Sequence, residues 1–188
     1  MSRRSRGSPC ARRRRRRQTV LVLGLSASLP RGIVKLGGLA FACALGRSGR
    51  RARKREGDGA TPVGCWRVLG VLYRADRVPR PATRLPARRI LPRDGWCDAP
   101  ADRNYNRPVR HPYPASAEQL WRADGLYDFV VVLGHNLRPR VRGAGSAVFM
   151  HVAHPGYRPT EGCIALKRDH LKRLVGRLGV GAKIRIGP

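Results

Sequence analysis

The segment SAVFMHVAHPGYRPTEGCIAL, Ser146–Leu166, carries the most informative pattern in this chain of 188 residues. An apolar, β-prone run leads into His151, a turn-rich stretch follows, and the tetrapeptide TEGC at residues 160–163 leads back into apolar residues. A cysteine nucleophile needs a nearby base, and a histidine on a separate strand can supply it. The pattern therefore indicates a candidate pair of Cys163 and His151, with a buried structural cysteine as the alternative.

Apolar runs on both sides of this segment predict a mainly β fold. Asp128–Leu133 and Ser146–Val152 have the length and composition of strands, and Lys183–Ile186 alternates between polar and apolar residues. Further strands are predicted nearer the N-terminus at Ile33–Leu36, Leu39–Leu45 and residues 66–73. Residues 46–65 and 74–115 lack an apolar period, so we expect a loop and a long irregular stretch there.

Two segments have helical features. Residues 168–178 place four apolar side chains on one face, and Gly179 ends that pattern, which predicts a C-terminal helix. Ser116 and Gln119 have the spacing of a capping box, which predicts a short mid-chain helix over Ala117–Ala123.

Charge is concentrated at the N-terminus of a chain whose formal net charge is +29. No acidic residue precedes Glu56, and Arg12–Arg17 is an unbroken arginine run. Such runs repel themselves, so residues 1–18 are predicted to be a disordered arm, either a solvated tail or a contact for anionic polymers. The arm has no aromatic residue on which bases could stack, and we expect no specific nucleic-acid partner. No apolar run is long enough for a membrane span.

The stretch TVLVLGLSASL, Thr19–Leu29, has two interpretations. Together with Arg12–Arg17 it has the layout of an export signal over residues 12–29. Its apolar start is also a short β-prone run that ends at Gly24, which is typical of a strand. We favour the strand, and residues 19–188 are then predicted to be one domain.

Three features together resemble the L,D-transpeptidase catalytic-domain family. His151 matches the family's strand-borne histidine, residues 160–164 (TEGCI) match its Ser/Thr-His-Gly-Cys block, and KREGDGATPVG at Lys54–Gly64 is similar to an upstream Asp-Gly-x-Thr-Pro-x-Gly element. The sequence departs from the pattern at Glu161, which replaces a histidine, and at Ala165, which replaces an asparagine or arginine. The spacing from His151 to the cysteine is also shorter than usual.

The resemblance implies a fold and an activity. The fold is a β-sandwich of L,D-transpeptidase type with a short mid-chain helix and a longer C-terminal helix. The activity is acyl transfer between peptidoglycan stem peptides in the cell envelope, with Cys163 as nucleophile and His151 as proton donor and acceptor, and without a metal or cofactor. The alternatives are an L,D-carboxypeptidase or endopeptidase, in which water accepts the acyl group, and a non-enzymatic basic protein that binds polyanions.

We expect other residues of the predicted site to have substrate-binding or oxyanion roles. These residues are Thr160, Glu161, Gly162, His135 and His154. An ionised Glu161 next to the thiol would raise the pKa of Cys163 and oppose its activation, unless an arginine pairs with it.

Several histidines and cysteines could have structural roles instead of roles in the site. His135 fits a structural histidine as well as a site residue, and His154 fits an exposed loop position. A zinc site made of both His151 and His154 with Cys163 lacks the usual ligand spacing. The sequence leaves open whether Cys65 and Cys97 form a disulfide.

Overall fold

The computed structural model describes residues 18–26 and 28–188, so residues 1–17 of the predicted N-terminal arm, with the arginine run, lie outside the described residues. The described part is mainly β and contains one α-helix, α1 (Arg168–Arg177), and a 3-10 turn at Pro155–Tyr157. Its strands are β1 (Thr19–Gly24), β2 (Arg31–Leu36), β3 (Leu39–Ala44), β4 (Arg50–Arg51), β5 (Thr61–Pro62), β6 (Gly64–Tyr73), β7 (Ala87–Arg89), β8 (Asp94–Cys97), β9 (Arg107–Arg110), β10 (Ala117–Gln119), β11 (Phe129–Leu133), β12 (Phe149–Val152), β13 (Ile164–Leu166) and β14 (Lys183–Ile186).

The largest sheet closes on itself. Its strands follow the order β11-β12-β13-β3-β2-β1-β14-β6, and β7 is added at the side of β6. Strand β6 completes the ring because its first residues pair with β14 and its last residues pair with β11. A closed sheet leaves no unpaired edge within the ring, and its interior forms the core. The mainly β fold class is confirmed.

Strand β1 is an integral part of this ring. It pairs with β2 on one side and with β14 on the other. Val20 and Val22 are fully buried, while Leu21 and Leu23 alternate with them on the outer face. This period of two is the signature of a half-buried strand, so the strand interpretation of the N-terminal apolar stretch is confirmed from Thr19 to Gly24.

The C-terminal helix is confirmed within one residue of its predicted end. Leu171, Leu174 and Val175 of α1 are buried in the same core cluster as the ring strands. These residues are three or four apart and therefore share one face of the helix.

A separate sheet of three strands, in the order β10-β8-β9, occupies the stretch that the sequence predicted to be irregular or helical. The predicted mid-chain helix is wrong, because Ala117–Gln119 pairs with residues 95–97 of β8. The capping-box spacing is a local signal, and a helix of about two turns is marginal without tertiary support. Pairing with β8 satisfies the same backbone groups and buries Leu120 beneath this sheet.

The described cysteines are unpaired. Cys65 is exposed on β6, whereas Cys97 is buried on β8, so the two do not form a disulfide. Within residues 18–26 and 28–188, no helix combines the length and apolar character that a membrane crossing requires.

Candidate active site

Strands β12 and β13 bring the two principal candidates together. They run parallel, with Met150 opposite Ile164 and His151 opposite Ala165. Side chains two residues apart in a strand point to the same face. Cys163 therefore shares a face with Ala165 and lies diagonally across from His151. Both side chains line one cleft of about 590 Å³.

The bend before the cysteine requires glycine. Gly162 has φ of +130°, and a Cβ atom at this position would lie 2.8 Å from the carbonyl oxygen of Ala60. The hydroxyl group of Thr160 donates to the carbonyl oxygen of Cys163 at 2.7 Å and accepts from the N–H of Gly162 at 3.2 Å. The backbone therefore turns tightly at Gly162, and Thr160 holds this turn in shape. Thr160 acts on the backbone of the loop rather than presenting its hydroxyl group as a free donor.

His151 is buried and has a defined tautomer. Its Nδ1 lies 2.8 Å from the carbonyl oxygen of Val152, which can only accept, so Nδ1 carries the proton and Nε2 keeps a lone pair. The ring of Tyr127 packs edge-on against the imidazole, with 5.3 Å between ring centroids. Burial lowers the pKa of His151 to about 4, against the opposing hydrogen bond to Val152. At neutral pH the imidazole is therefore uncharged and can accept a proton.

Cys163 rests as a thiol. Its Sγ lies 3.3 Å from the carbonyl oxygen of Ala147, to which S–H donates, and 3.3 Å from the N–H of Phe149. Burial, followed by the negative charge of Glu118, raises the pKa of Cys163 to about 12. Because the thiol and the imidazole are both neutral, proton transfer has to accompany attack on a substrate rather than precede it.

The loop Lys54–Gly64 packs against the cysteine turn through a buried ion pair. Lys54 Nζ lies 2.5 Å from Asp58 Oδ1, and both side chains are less than one-tenth exposed. Burial would raise the pKa of Asp58, but hydrogen bonds from Lys54 and from the N–H groups of Arg55 and Ala60 outweigh it and lower that pKa. The pair fixes the loop that carries the carbonyl oxygen of Ala60 against Gly162.

Glu161 is paired with an arginine, which is the case in which we expected no effect of its charge on the thiol. Both oxygens of its exposed carboxylate accept the single Nε–H of Arg47 in a bifurcated hydrogen bond, at 2.8 and 3.0 Å. The acidic residue that raises the pKa of Cys163 is Glu118, which the sequence did not single out. Glu118 reaches the cleft only because β10 pairs with β8, and the helical prediction for that segment concealed it.

The two remaining histidines have different surroundings. His154 follows β12 and lines the cleft, and its role in substrate or oxyanion binding stays a prediction. His135 is buried beside Trp66, and its Nε2 donates to the carbonyl oxygen of Ala144 at 2.9 Å. Its ring supports the loop behind the cleft and is not among the described residues that line it, and its role in substrate or oxyanion binding stays a prediction. No group of three or more His, Cys, Asp or Glu side chains in the described residues could hold a metal ion.

A comparison with protein families identifies the family of this chain. The YkuD family model, described as the L,D-transpeptidase catalytic domain, matches residues 30–186. The chain belongs to the L,D-transpeptidase catalytic-domain family. Members of this family are enzymes that act on peptidoglycan in the cell envelope. The predicted resemblance is therefore confirmed at the level of the family.

Solved structures that are similar to this chain include L,D-transpeptidases of mycobacteria. L,D-transpeptidase 1 of Mycobacterium tuberculosis is 15% identical, with a TM-score of 0.40, and the match covers 91% of this chain and 63% of that one. An L,D-transpeptidase from Mycobacterium smegmatis is 14% identical, with a TM-score of 0.42, and coverage is 91% and 59%. L,D-transpeptidase 3 of Mycobacterium tuberculosis, in complex with a faropenem-derived adduct, is 15% identical, with a TM-score of 0.45, and coverage is 91% and 61%. The chain thus spans about three fifths of the length of these proteins. No curated protein sequence matches it.

Proposed function

We propose that this protein is a cysteine acyltransferase of the L,D-transpeptidase type that acts on peptidoglycan stem peptides. The observation that supports the proposal is the shared cleft of Cys163 and His151, in which the Nδ1 bond to Val152 leaves Nε2 as an unprotonated base. A buried thiol beside a neutral imidazole is suited to attack coupled to proton transfer. Residues 19–188 would supply the whole site, since every described residue that lines the cleft falls within them.

The proposed reaction has two steps. In the first, Sγ of Cys163 attacks the carbonyl carbon of the L-centre of a tetrapeptide stem while Nε2 of His151 takes the thiol proton. The C–N bond to the terminal D-residue breaks, and His151 returns the proton to the leaving amine. In the second step, the amine of another stem attacks the thioester, the C–S bond breaks, and the thiol regains a proton.

The turn at Gly162 would position the oxyanion donor. The N–H of Gly162 is already given to Thr160, so we assign the oxyanion to the N–H of Cys163 itself. One such donor contributes about 3 kcal/mol in other acyl-transfer enzymes. Thr160 and Gly162 then act by holding this peptide in place, while His154 and Glu161 line the approach to it.

The first test is acyl-enzyme formation with a tetrapeptide stem, followed by intact mass spectrometry. We expect a thioester adduct on the wild-type protein and on the Cys65→Ala variant, because Cys65 lies on the outer face. We expect no adduct on Cys163→Ala, and adduct formation slowed about a thousandfold in His151→Gln, since a positioned acid-base group contributes about two to four orders of magnitude. A wild-type protein that forms no adduct would contradict the proposal and favour the non-enzymatic alternative.

The acceptor is tested by analysis of the products. In the presence of a second stem peptide, a cross-linked product indicates transpeptidation. A shortened stem without a cross-link indicates that water resolves the thioester, as in a carboxypeptidase or endopeptidase.

A further inference from the structure

Half of the large apolar side chains that are exposed in the described residues lie in one hairpin. Eight such side chains are exposed, and four of them are Leu21, Leu23, Leu25 and Leu29. Leu25 is 63% exposed and Leu29 is 49% exposed, and both lie in the turn that joins β1 to β2. Single exposed leucines are common on protein surfaces, whereas a contiguous group of them is typical of a contact with a partner or a membrane.

Basic side chains of the neighbouring strands surround these leucines. Leu21 lies opposite Lys35 of β2 on one side and opposite Arg185 of β14 on the other. Two residues away along β14, Lys183 lies opposite Arg67 of β6. Residues that face each other across paired strands point to the same side of a sheet. The outer face of β1, β2, β14 and β6 is therefore both apolar and basic.

No negative charge of the described residues offsets these four cations. We refer to the four leucines and the four cations together as the hairpin face. The strands β1, β2, β3, β6 and β14 contain no aspartate and no glutamate. Within residues 18–26 and 28–188, none of the four cations has a carboxylate oxygen within 4.0 Å. The positive charge of the hairpin face is thus available to an anionic ligand.

The hairpin face and the cleft lie on opposite sides of the ring. In the closed order of eight strands, β1 is four strands away from β12 in either direction. His151 of β12 points out of the ring, because its neighbours Met150 and Val152 belong to the core cluster inside it. Leu21 of β1 also points outward, since both of its neighbours in the strand belong to that cluster. A surface that covers the hairpin face therefore leaves the cleft open.

We infer that the hairpin face docks on the surface of an anionic lipid bilayer. Leucine side chains gain free energy when they leave water for the boundary between headgroups and acyl chains, and this gain adds to the attraction between basic side chains and anionic headgroups. The long aliphatic parts of lysine and arginine lie along apolar surface while their charged ends reach the headgroups. The two contributions act together because the leucines and the cations share one face. The inference does not depend on the proposed function.

The combination of leucines and cations favours a bilayer over other occupants. A soluble anionic polymer is attracted by the cations alone, and the exposed leucines add nothing to that contact. A second copy of this chain, docked through the same face, would place cations against cations. An anionic bilayer uses both kinds of side chain, so it is the partner to which the hairpin face is complementary.

The first test is cosedimentation of the full chain with vesicles made of equal parts of phosphatidylglycerol and phosphatidylcholine. We expect the wild type to bind these vesicles and to bind much less to vesicles of phosphatidylcholine alone. The double variant Leu25→Ser with Leu29→Ser should bind about tenfold more weakly, because less apolar surface leaves water. The matched control is Leu91→Ser with Val141→Ser, whose side chains are 46% and 56% exposed elsewhere, and it should bind like the wild type.

A second pair of variants tests the cations. Lys35→Gln with Arg185→Gln should weaken binding about thirtyfold at physiological salt, because each basic residue near an anionic bilayer contributes about fivefold. The loss should shrink at high salt, where the charges are screened. The matched control is Arg107→Gln with Arg110→Gln, which removes the same charge from exposed positions of β9 in the separate sheet. Near-UV circular dichroism confirms that each variant is folded.

Three results would overturn the inference. A wild-type chain that does not bind the anionic vesicles lacks the proposed interaction. Binding that is unchanged in the leucine variant would show attraction by charge alone, as expected for the arginine run or for a contact with a soluble anionic polymer. Binding that is weakened equally by both charge variants would show that net charge matters and the hairpin face does not.

Cys65 reports which face meets the bilayer. It is exposed and lies opposite Arg185, whereas Cys43 and Cys97 are buried. In a Cys10→Ser, Cys163→Ala background, an environment-sensitive fluorophore on Cys65 should shift to shorter wavelengths when anionic vesicles are added. The same label placed by Leu91→Cys in a chain that also carries Cys65→Ser should not shift. The reverse pattern would show docking through another face, and the result is independent of activity because this background lacks the candidate nucleophile.

Discussion

The two walls of the cleft are built on opposite principles. The wall that carries Cys163 consists of ring strands and of loops whose charges are already paired, such as Lys54 with Asp58. The wall formed by the three-stranded sheet presents Glu118, whose pKa is raised by burial and whose partner is the hydroxyl group of Tyr127, and Asp98, whose Oδ1 has no hydrogen-bond partner among the described residues. The first arrangement holds atoms in fixed positions, whereas the second leaves interactions available to a ligand. We expect substitutions on the first wall to alter stability and rate, and substitutions on the second to alter selectivity.

The largest expected effect is the change with pH in the rate of alkylation of Cys163, which lies on the first wall. Because burial and Glu118 raise the pKa of Cys163 to about 12, the thiolate fraction should rise about tenfold for each pH unit below that value. Alkylation of Cys163 by iodoacetamide should therefore increase roughly a thousandfold between about pH 6 and about pH 9. Mass spectrometry of the labelled peptides measures this, with Cys65 as an exposed reference in the same sample.

Acyl transfer should follow a different profile. The reactive form holds a neutral thiol and a neutral imidazole, so the rate should stay level across neutral pH and fall as pH drops through about 4, where His151 gains a proton. Single-turnover acylation at a series of pH values checks this. A plateau of alkylation near neutral pH would instead show a thiolate–imidazolium pair and contradict the resting state described above.

The next largest effect is on stability. Asp58→Asn leaves Lys54 buried without its counter-charge, which should cost about 3–5 kcal/mol in the free energy of unfolding. The pKa of Asp58 is lowered in the folded protein, so its contribution is present above the unfolded value of 3.8 and is lost as pH falls through the lower folded value. The difference between variant and wild type should therefore narrow in acid. Urea denaturation at several pH values measures it.

The double variant Lys54→Met with Asp58→Asn provides the control. Removal of both charges eliminates the unpaired buried group, so part of the lost stability should return. If the double variant loses as much free energy of unfolding as the two single variants together, Lys54 and Asp58 are not coupled. Their ion pair then does not hold the first wall in place.

Gly162→Ala should reduce the rate more than it reduces stability. The alanine Cβ would meet the carbonyl oxygen of Ala60 at 2.8 Å, in a backbone conformation that costs about 1–3 kcal/mol for residues other than glycine. A displacement of the cysteine by about 1 Å can lower the rate about a hundredfold. Acylation rates and thermal unfolding should be compared with those of Gly143→Ala, whose φ is also positive but whose Cβ would meet no atom within 4 Å.

The smallest effect on stability is expected for the exposed ion pair between Arg47 and Glu161. Arg47→Gln removes the exposed ion pair with Glu161, and such pairs contribute about 0–1 kcal/mol. The melting temperature and the pH dependence of Cys163 alkylation should stay close to those of the wild type. A large change in that pH dependence would show that Glu161, when released from Arg47, approaches the thiol.

The structure of segments with a clear short-range sequence pattern could be predicted. The strand ending in His151, the glycine before Cys163 and the apolar face of the C-terminal helix all follow from short-range patterns, and the structure has each of them. The mid-chain segment behaved differently, because Ser116 and Gln119 suggest a helix locally, whereas pairing with β8 is a long-range interaction. That single difference concealed Glu118, and with it the acidic wall of the cleft.

The sequence by itself determined the mainly β class, the family resemblance and the two principal candidates, because strand periodicity and the TEGC segment are properties of neighbouring residues. Only the tertiary structure decided the environment of those candidates. The pairing of Glu161 with Arg47, the tautomer of His151, the burial that keeps Cys163 protonated and the arrival of Glu118 and Tyr127 depend on residues distant in the chain. Charge and burial act through space, and distances in space are set by the fold rather than by position along the sequence.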